Sequence, residues 1–221
     1  MRDLSTALDD LRRACAAPAV LADVGDAREA AVAAILGPGR DGPDVWFIQR
    51  AVHPRDPWSG QVAFPGGRVE PADADGRAAA LRETLEEIGV DLSRGESLGA
   101  LDDLAAVRDG PRIVVHPYVF GLHEPQELRL NAVEVAAVFR APLADLLGGV
   151  ARSRFDFDWK GGRWTLPCVD LPGPQGVPVR LWGMTLRMVD GLLHRLDGRG
   201  IGLERPAEGG VPDAPAISSP S

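Results

Sequence analysis

Lysine is almost absent from this 221-residue chain: Lys160 stands alone, so nearly all positive charge is arginine. Acidic residues outnumber basic ones, and the net charge of −8 argues against general binding to nucleic acid. An anionic small molecule stays open, because a bound cation neutralises phosphates locally. Cysteine is scarce. Cys15 and Cys168 have no metal-like spacing, and nothing around them points to an oxidising compartment in which a disulfide would persist. No apolar run reaches the roughly 18 residues of a membrane-spanning helix. The short apolar run 14–22 follows Arg12 and Arg13, but Asp3, Asp9 and Asp10 spoil the basic start of a secretory leader. The expectation is a cytoplasmic protein with no nucleic-acid or membrane partner. No internal repeat is visible.

What remains is ordinary for a soluble globular protein: 45% hydrophobic and 25% charged residues, enough for one domain with a good core. Leu4, Leu8 and Leu11 fall at helical spacing and predict an amphipathic N-terminal helix, so residues 1–27 read as a helical segment. Strands are expected at Ala30 to Leu36, Val45 to Gln49, Gln61 to Phe64, Leu98 to Leu104, Ile113 to Phe120 and Glu134 to Phe139. Asp109-Gly110-Pro111 reads as a turn. Pro142 to Leu147 reads as a short helix. Phe155 to Trp159 and Arg163 to Pro167 read as a hairpin joined at Lys160-Gly161-Gly162. Residues 172–178 read as loop, and Met184 to Leu196 as a closing helix. Residues 28–204 form the expected main domain. The tail 205–221, rich in Pro, Gly, Ala and Ser, is expected to be disordered and dispensable.

The informative stretch lies between the strands. Gly60-Gln-Val-Ala-Phe64-Pro-Gly66-Gly67 leads to Asp73, then to Arg82-Glu83-Thr84-Leu85-Glu86-Glu87-Ile88-Gly89-Val90. A helix over about 74–88 puts Glu83, Glu86 and Glu87 within an arc of roughly 100°, with Ala78, Leu81, Leu85 and Ile88 opposite. Gly89 is placed to stop it. An exposed glutamate-rich helix would show the same residues. The tight glycine loop before it and the glycine after it favour a second reading. Three carboxylates that repel one another become favourable around a hard divalent cation.

This stretch resembles the signature of the Nudix hydrolases, G-x5-E-x7-R-E-U-x-E-E-x-G-U with U a bulky apolar residue. Gly67 and Arg82 to Val90 match. Asp73 stands where the family has Glu, with one extra residue before Arg82, which leaves Asp73 and Asp75 as alternatives for the upstream acid. Thr84 stands at an aliphatic position. The resemblance implies an α/β fold, a Nudix-type α/β/α sandwich with a mixed β-sheet, and hydrolysis of a nucleoside diphosphate linked to another group. It implies Mg²⁺ or Mn²⁺ held by Glu83, Glu86 and Glu87. It also implies that Arg82 orients a glutamate through a two-pronged pair. The backbone at Gly66-Gly67 is expected to hold the helix start and to offer a carbonyl to metal, with Gly67 in the ligand set. Glu134, read as a strand residue, and Asp73 are further candidate acids. His53 and His116 are candidate bases with structural roles as the alternative.

Phe47-Ile48-Gln49-Arg50-Ala51, then Arg55, Gly60 and Phe64-Pro-Gly-Gly67 resemble the additional motif of the coenzyme A pyrophosphatase branch, one residue longer between Arg55 and Gly60. Leu98 to Leu104, Val115 to Val119, Asn131 to Val135 and Leu181-Trp182-Gly183-Met184-Thr185 resemble its later segments, so the likeness spans about residues 28–196. The branch implies cleavage of coenzyme A or acyl-coenzyme A into 3′,5′-ADP and (acyl-)4′-phosphopantetheine. Arg50 and Arg55 suit its 3′-phosphate, and Trp58 suits its adenine. Another substrate, ADP-ribose or a nucleoside triphosphate, and a non-catalytic binding module of the same fold are the alternatives. A homodimer is left open.

Overall fold

The computed structural model describes residues 3–53, 59–106, 112–148, 152–159, 162–173, 176–201 and 203. Arg55, Trp58, the turn at 109–111, Lys160-Gly161 and the tail 205–221 lie outside them.

The centre is β1 (Arg28–Pro38), whose Ala31, Ala33 and Ile35 face one side while Ala30, Ala34 and Leu36 face the other. Both faces are covered, which is why the strand reads as a continuous apolar run. On one flank β1 pairs antiparallel with β2 (Pro43–Arg50), and β2 pairs with β3 (Val62–Ala63). The short β4 (Gly66–Arg68) also pairs with β1. On the other flank β7 (Ile113–Gly121) runs parallel to β1, carrying β5 (Glu96–Ala100) and β6 (Leu104–Ala106). β8 (Val135–Pro142) pairs with β2 to complete a mixed eight-stranded sheet.

α2 (Gly76–Ile88) covers one face with Ala79, Ala80 and Ile88 against Ala31, Ala33, Ile35, Trp46, Ile48 and Phe120. α1 (Leu4–Cys15) and α4 (Gly183–Asp197) contribute to the core of the other face, with Ala7, Leu8 and Leu11 buried among Leu186, Val189 and Leu193. The result is the expected α/β/α sandwich. A short α3 (Leu143–Gly148) follows β8. A separate three-stranded sheet, in the order β11 (Val179–Leu181), β10 (Gly162–Leu171), β9 (Arg152–Trp159), precedes α4.

Three sequence expectations change. Leu98 to Leu104 spans two strands: β5 ends at Ala100, the Asp103 N–H turns to the Val20 carbonyl at 2.9 Å, and β6 begins at Leu104. Within β5 the register also shifts between Ser97 and Gly99, where Gly99 takes a φ of 130°. A side chain at Gly99 would meet Cys15 of α1 at 2.7 Å. Gly66-Gly67 is strand backbone and not loop. Glu134 lies in a turn before β8: Asn131 accepts the N–H groups of Glu134 and Val135 at its carbonyl, and that of Val133 at its side chain. Cys15 and Cys168 are both buried and free. No helix among the described residues is long and apolar enough to cross a membrane.

Candidate active site

The helix that carries the acids is set by its ends. Asp75 caps it, accepting the Ala78 N–H at 2.7 Å, and Gly89 ends it with a φ of 72° while donating to Leu85. Asp75 is therefore the cap, and Asp73 is the upstream acid that reaches Arg82. The helix start is held by this cap and not by Gly66-Gly67. The buried side of α2 is Ala79, Ala80, Thr84, Glu87 and Ile88, whereas Leu85 is exposed. The expected apolar face was thus rotated. Thr84 fits the aliphatic position by donating its hydroxyl to the Ala80 carbonyl at 2.7 Å, one turn back.

With this rotation the three glutamates differ in burial. Glu86 is exposed, Glu83 is half-buried, and Glu87 is 2% exposed. Glu87 reaches β4, where its Oε2 accepts the Gly66 N–H at 2.8 Å. Gly66 carries a φ of 147° and approaches β1 so closely that a Cβ would lie 2.3 Å from the Ala31 carbonyl. Gly67 lies against Glu83: a Cβ there would sit 2.4 to 2.7 Å from the carboxylate atoms.

Arg82 is the hub. It donates Nε and Nη2 to Asp73 at 3.0 and 2.9 Å, a second Nη2 bond to the Arg68 carbonyl at 3.0 Å, and Nη1 to Glu83 at 3.0 Å. Glu86 is 3.5 Å away. The two-pronged pair is therefore made with Asp73, and Glu83 takes a single bond. These bonds lower the Asp73 pKa below the usual carboxylate range. Asp73 also accepts the Glu70 N–H at 2.8 Å, which folds the 70–73 turn beneath the guanidinium.

Burial pushes the Glu87 pKa up to about 7, against the opposing Gly66 N–H and Arg50, and the charges of Glu83 and Glu134 add to the rise. Glu83 is raised for the same first reason, with Glu86 and Glu134 contributing. Glu134 thus acts on both glutamates from its turn, which is tied to the opposite loop by the Ala51 N–H donated to the Glu134 carbonyl at 2.8 Å. Arg50 stands 4.0 Å from Glu87. His116 is held elsewhere, its ring nitrogens 2.9 Å from Asp103 and 3.2 Å from Glu29. His53 is exposed, beside Ser59.

The structure brings together Glu83, Glu86, Glu87, Arg82, Asp73 and Gly67, with Glu134 and Arg50 at the rim. Sequence reasoning missed the Gly66 N–H as the anchor of Glu87; the paired glycines were its only signal. A family model described as NUDIX domain matches residues 27–168, more than half of the chain.

The chain belongs to the Nudix hydrolase family.

Among curated proteins, this Nudix chain is 40% identical over 141 residues to the mitochondrial coenzyme A diphosphatase NUDT8 of Homo sapiens, covering 62% of this chain and 56% of that protein. It is 40% identical over 117 residues to the uncharacterized Nudix hydrolase NudL of Escherichia coli (strain K12), covering 52% of this chain and 59% of that one. The chain thus spans little more than half of either relative. A solved Nudix hydrolase from Alicyclobacillus acidocaldarius aligns with a TM-score of 0.46 and 23% identity over 58% of this chain and 84% of that one.

The donor set fits a hard divalent cation. Its atoms are carboxylate and carbonyl oxygens, and its buried acids repel one another. Among the described residues no three of these side chains form a ready-made cluster.

Proposed function

We propose that this Nudix chain cleaves the pyrophosphate bond of coenzyme A or acyl-coenzyme A in a reaction that requires Mg²⁺ or Mn²⁺. The observation that carries the reading is the pair of desolvated, mutually repelling carboxylates of Glu83 and Glu87, with the charge of the exposed Glu134 acting on both, set against the Gly66-Gly67 backbone. The 40% identity to a protein named a coenzyme A diphosphatase supports the substrate.

Glu83, Glu86, Glu87 and the Gly67 carbonyl would hold the metal, which when bound neutralises diphosphate charge and makes water a better nucleophile near neutral pH. Arg82, itself fixed by Asp73 and the Arg68 carbonyl, holds Glu83 toward that position. The Gly66 N–H fixes Glu87. Glu134, exposed at the rim and electrostatically coupled to both, is the candidate acceptor of the water's proton. Arg50, 4.0 Å from Glu87, would then meet the reacting diphosphate. Discrimination of the distant 3′-phosphate then falls to Arg55.

The test is a panel of coenzyme A, dephospho-coenzyme A, ADP-ribose and nucleoside triphosphates with Mg²⁺ or Mn²⁺, products read by mass. Coenzyme A should give 3′,5′-ADP and 4′-phosphopantetheine. Arg50→Ala should slow coenzyme A and dephospho-coenzyme A alike, whereas Arg55→Ala should lose roughly 10- to 150-fold in kcat/KM on coenzyme A alone. Preferred cleavage of ADP-ribose or a nucleoside triphosphate would overturn the substrate assignment.

A further inference from the structure

β9 is an outer strand. Among the described residues it pairs with β10 on one side and with no strand on the other. An open strand edge is a template for another chain. The sequence from Arg152 is Arg-Ser-Arg-Phe-Asp-Phe-Asp, ending at Asp158. Strand alternation puts Arg152, Arg154, Asp156 and Asp158 on one face, and all four are exposed. Phe155 and Phe157 are on the other face, with ring centroids 5.2 and 5.3 Å from that of Trp182. The charged face therefore runs from positive to negative along the strand.

We propose that two copies of this chain pair antiparallel along β9, about a two-fold axis through Phe155, to form a homodimer. A two-fold axis normal to the sheet continues each face into the same face of the partner, so opposed residues share parity. Centred on Phe155, the pairing sets Arg154 against Asp156 and Arg152 against Asp158, on both sides of the axis. Sliding by two residues opposes Arg154 to itself in one direction and Asp156 to itself in the other. Like charges directly opposite are destabilising, so the charges select one register. A partner of uniform charge would match only half of the strand, which is why the edge fits a second copy.

The side chains are already steadied from the β10 side. Arg163 donates to Asp158 at 2.8 and 3.0 Å, the Thr165 hydroxyl donates to Asp156 at 2.8 Å, and Arg154 donates to the Thr165 carbonyl at 3.0 Å. The acceptor capacity of an ionised carboxylate allows a second donor at each aspartate. On the opposite face Phe155 lies on the axis, so the Phe155–Phe157–Trp182 cluster meets its own copy.

Sedimentation equilibrium of the full chain tests this. Wild type should dimerise, with a Kd that rises with ionic strength. Arg152→Asp/Arg154→Asp makes the charged face wholly acidic, and Asp156→Arg/Asp158→Arg makes it wholly basic. Each variant alone should dimerise about tenfold or more weakly, while their equimolar mixture should recover a dimer. The swap Arg154→Asp/Asp156→Arg keeps every opposed pair and should keep the dimer, with circular dichroism reporting the fold of each protein. A monomeric wild type, charge-reversed variants that dimerise as wild type does, or folded variants whose mixture stays monomeric would overturn the proposal.

Discussion

At the scale of single residues, burial holds the Glu87 carboxyl at a pKa of about 7, above its ordinary 4.5. Folding therefore favours protonated Glu87. Its contribution to stability is fully present below the ordinary value and is lost as pH rises from about 4.5 through 7. The full effect is at most about 3 kcal/mol at 1.36 kcal/mol per pKa unit. Glu87→Gln removes the charge and keeps an oxygen for the Gly66 N–H. In EDTA-treated protein the variant's Tm relative to wild type should rise between pH 5 and pH 8, by several degrees in all. The same variant should lose orders of magnitude in turnover with metal present. A Tm difference that stays flat across this range would show that Glu87 is not held in a desolvating site. Asp73 holds Arg82 in a two-pronged pair. Asp73→Asn should therefore lower kcat about 10- to 100-fold, as loss of a residue that orients a ligand does, with little change in far-UV circular dichroism. Unchanged kcat would remove Asp73 from the positioning chain.

At the scale of elements, β4 and α2 make one unit through two neighbouring glycines with different tasks. At Gly67 the nearest atoms to an added Cβ belong to the movable end of Glu83, so Gly67→Ala should fold normally and lose turnover as Glu83 is displaced. At Gly66 an added Cβ meets backbone of β1, and the positive φ adds strain, so Gly66→Ala should lower the Tm. Thermal melts beside turnover numbers separate the two; equal losses of Tm would contradict the assignment. These elements also show what was legible beforehand. The strands were visible as short apolar segments, the helices as 3.6-residue patterns, and the stop at Gly89 as a glycine directly after the acidic helix. The rotation of α2 was not, because Thr84 satisfies itself within the helix and Glu87 is buried by a backbone N–H from a strand 21 residues away. Nor was β4, whose Gly-Gly-Arg sequence has no strand propensity and is paired only because β1 lies beside it. Glu134 read as strand because Val133 and Val135 flank it, while the turn that holds it is made by two bonds to the Asn131 carbonyl and one to its side chain.

At the scale of the molecule, the N-terminal helix shares the core of the domain. Leu8 and Leu11 are buried against the layer that α4 also covers, and Arg12 pairs with Glu96 of β5 at 2.6 Å. Leu11→Ala should cost about 2–5 kcal/mol in chemical denaturation, the range for a truncated core leucine. A loss under 1 kcal/mol would mean that α1 docks only loosely. The same packing fixes β1 between its two helical layers, and β1 in turn sets the backbone of Gly66 and Gly67 beneath the acids of α2. On the proposed function, these acids hold a divalent cation against the diphosphate of coenzyme A. The most direct measurement is the rate of 4′-phosphopantetheine release from coenzyme A by one enzyme sample, first with Mg²⁺, then after excess EDTA, then after Mg²⁺ is restored. Turnover, its abolition and its recovery are expected in that order. Undiminished turnover in EDTA, or no release of 4′-phosphopantetheine at any stage, would contradict it.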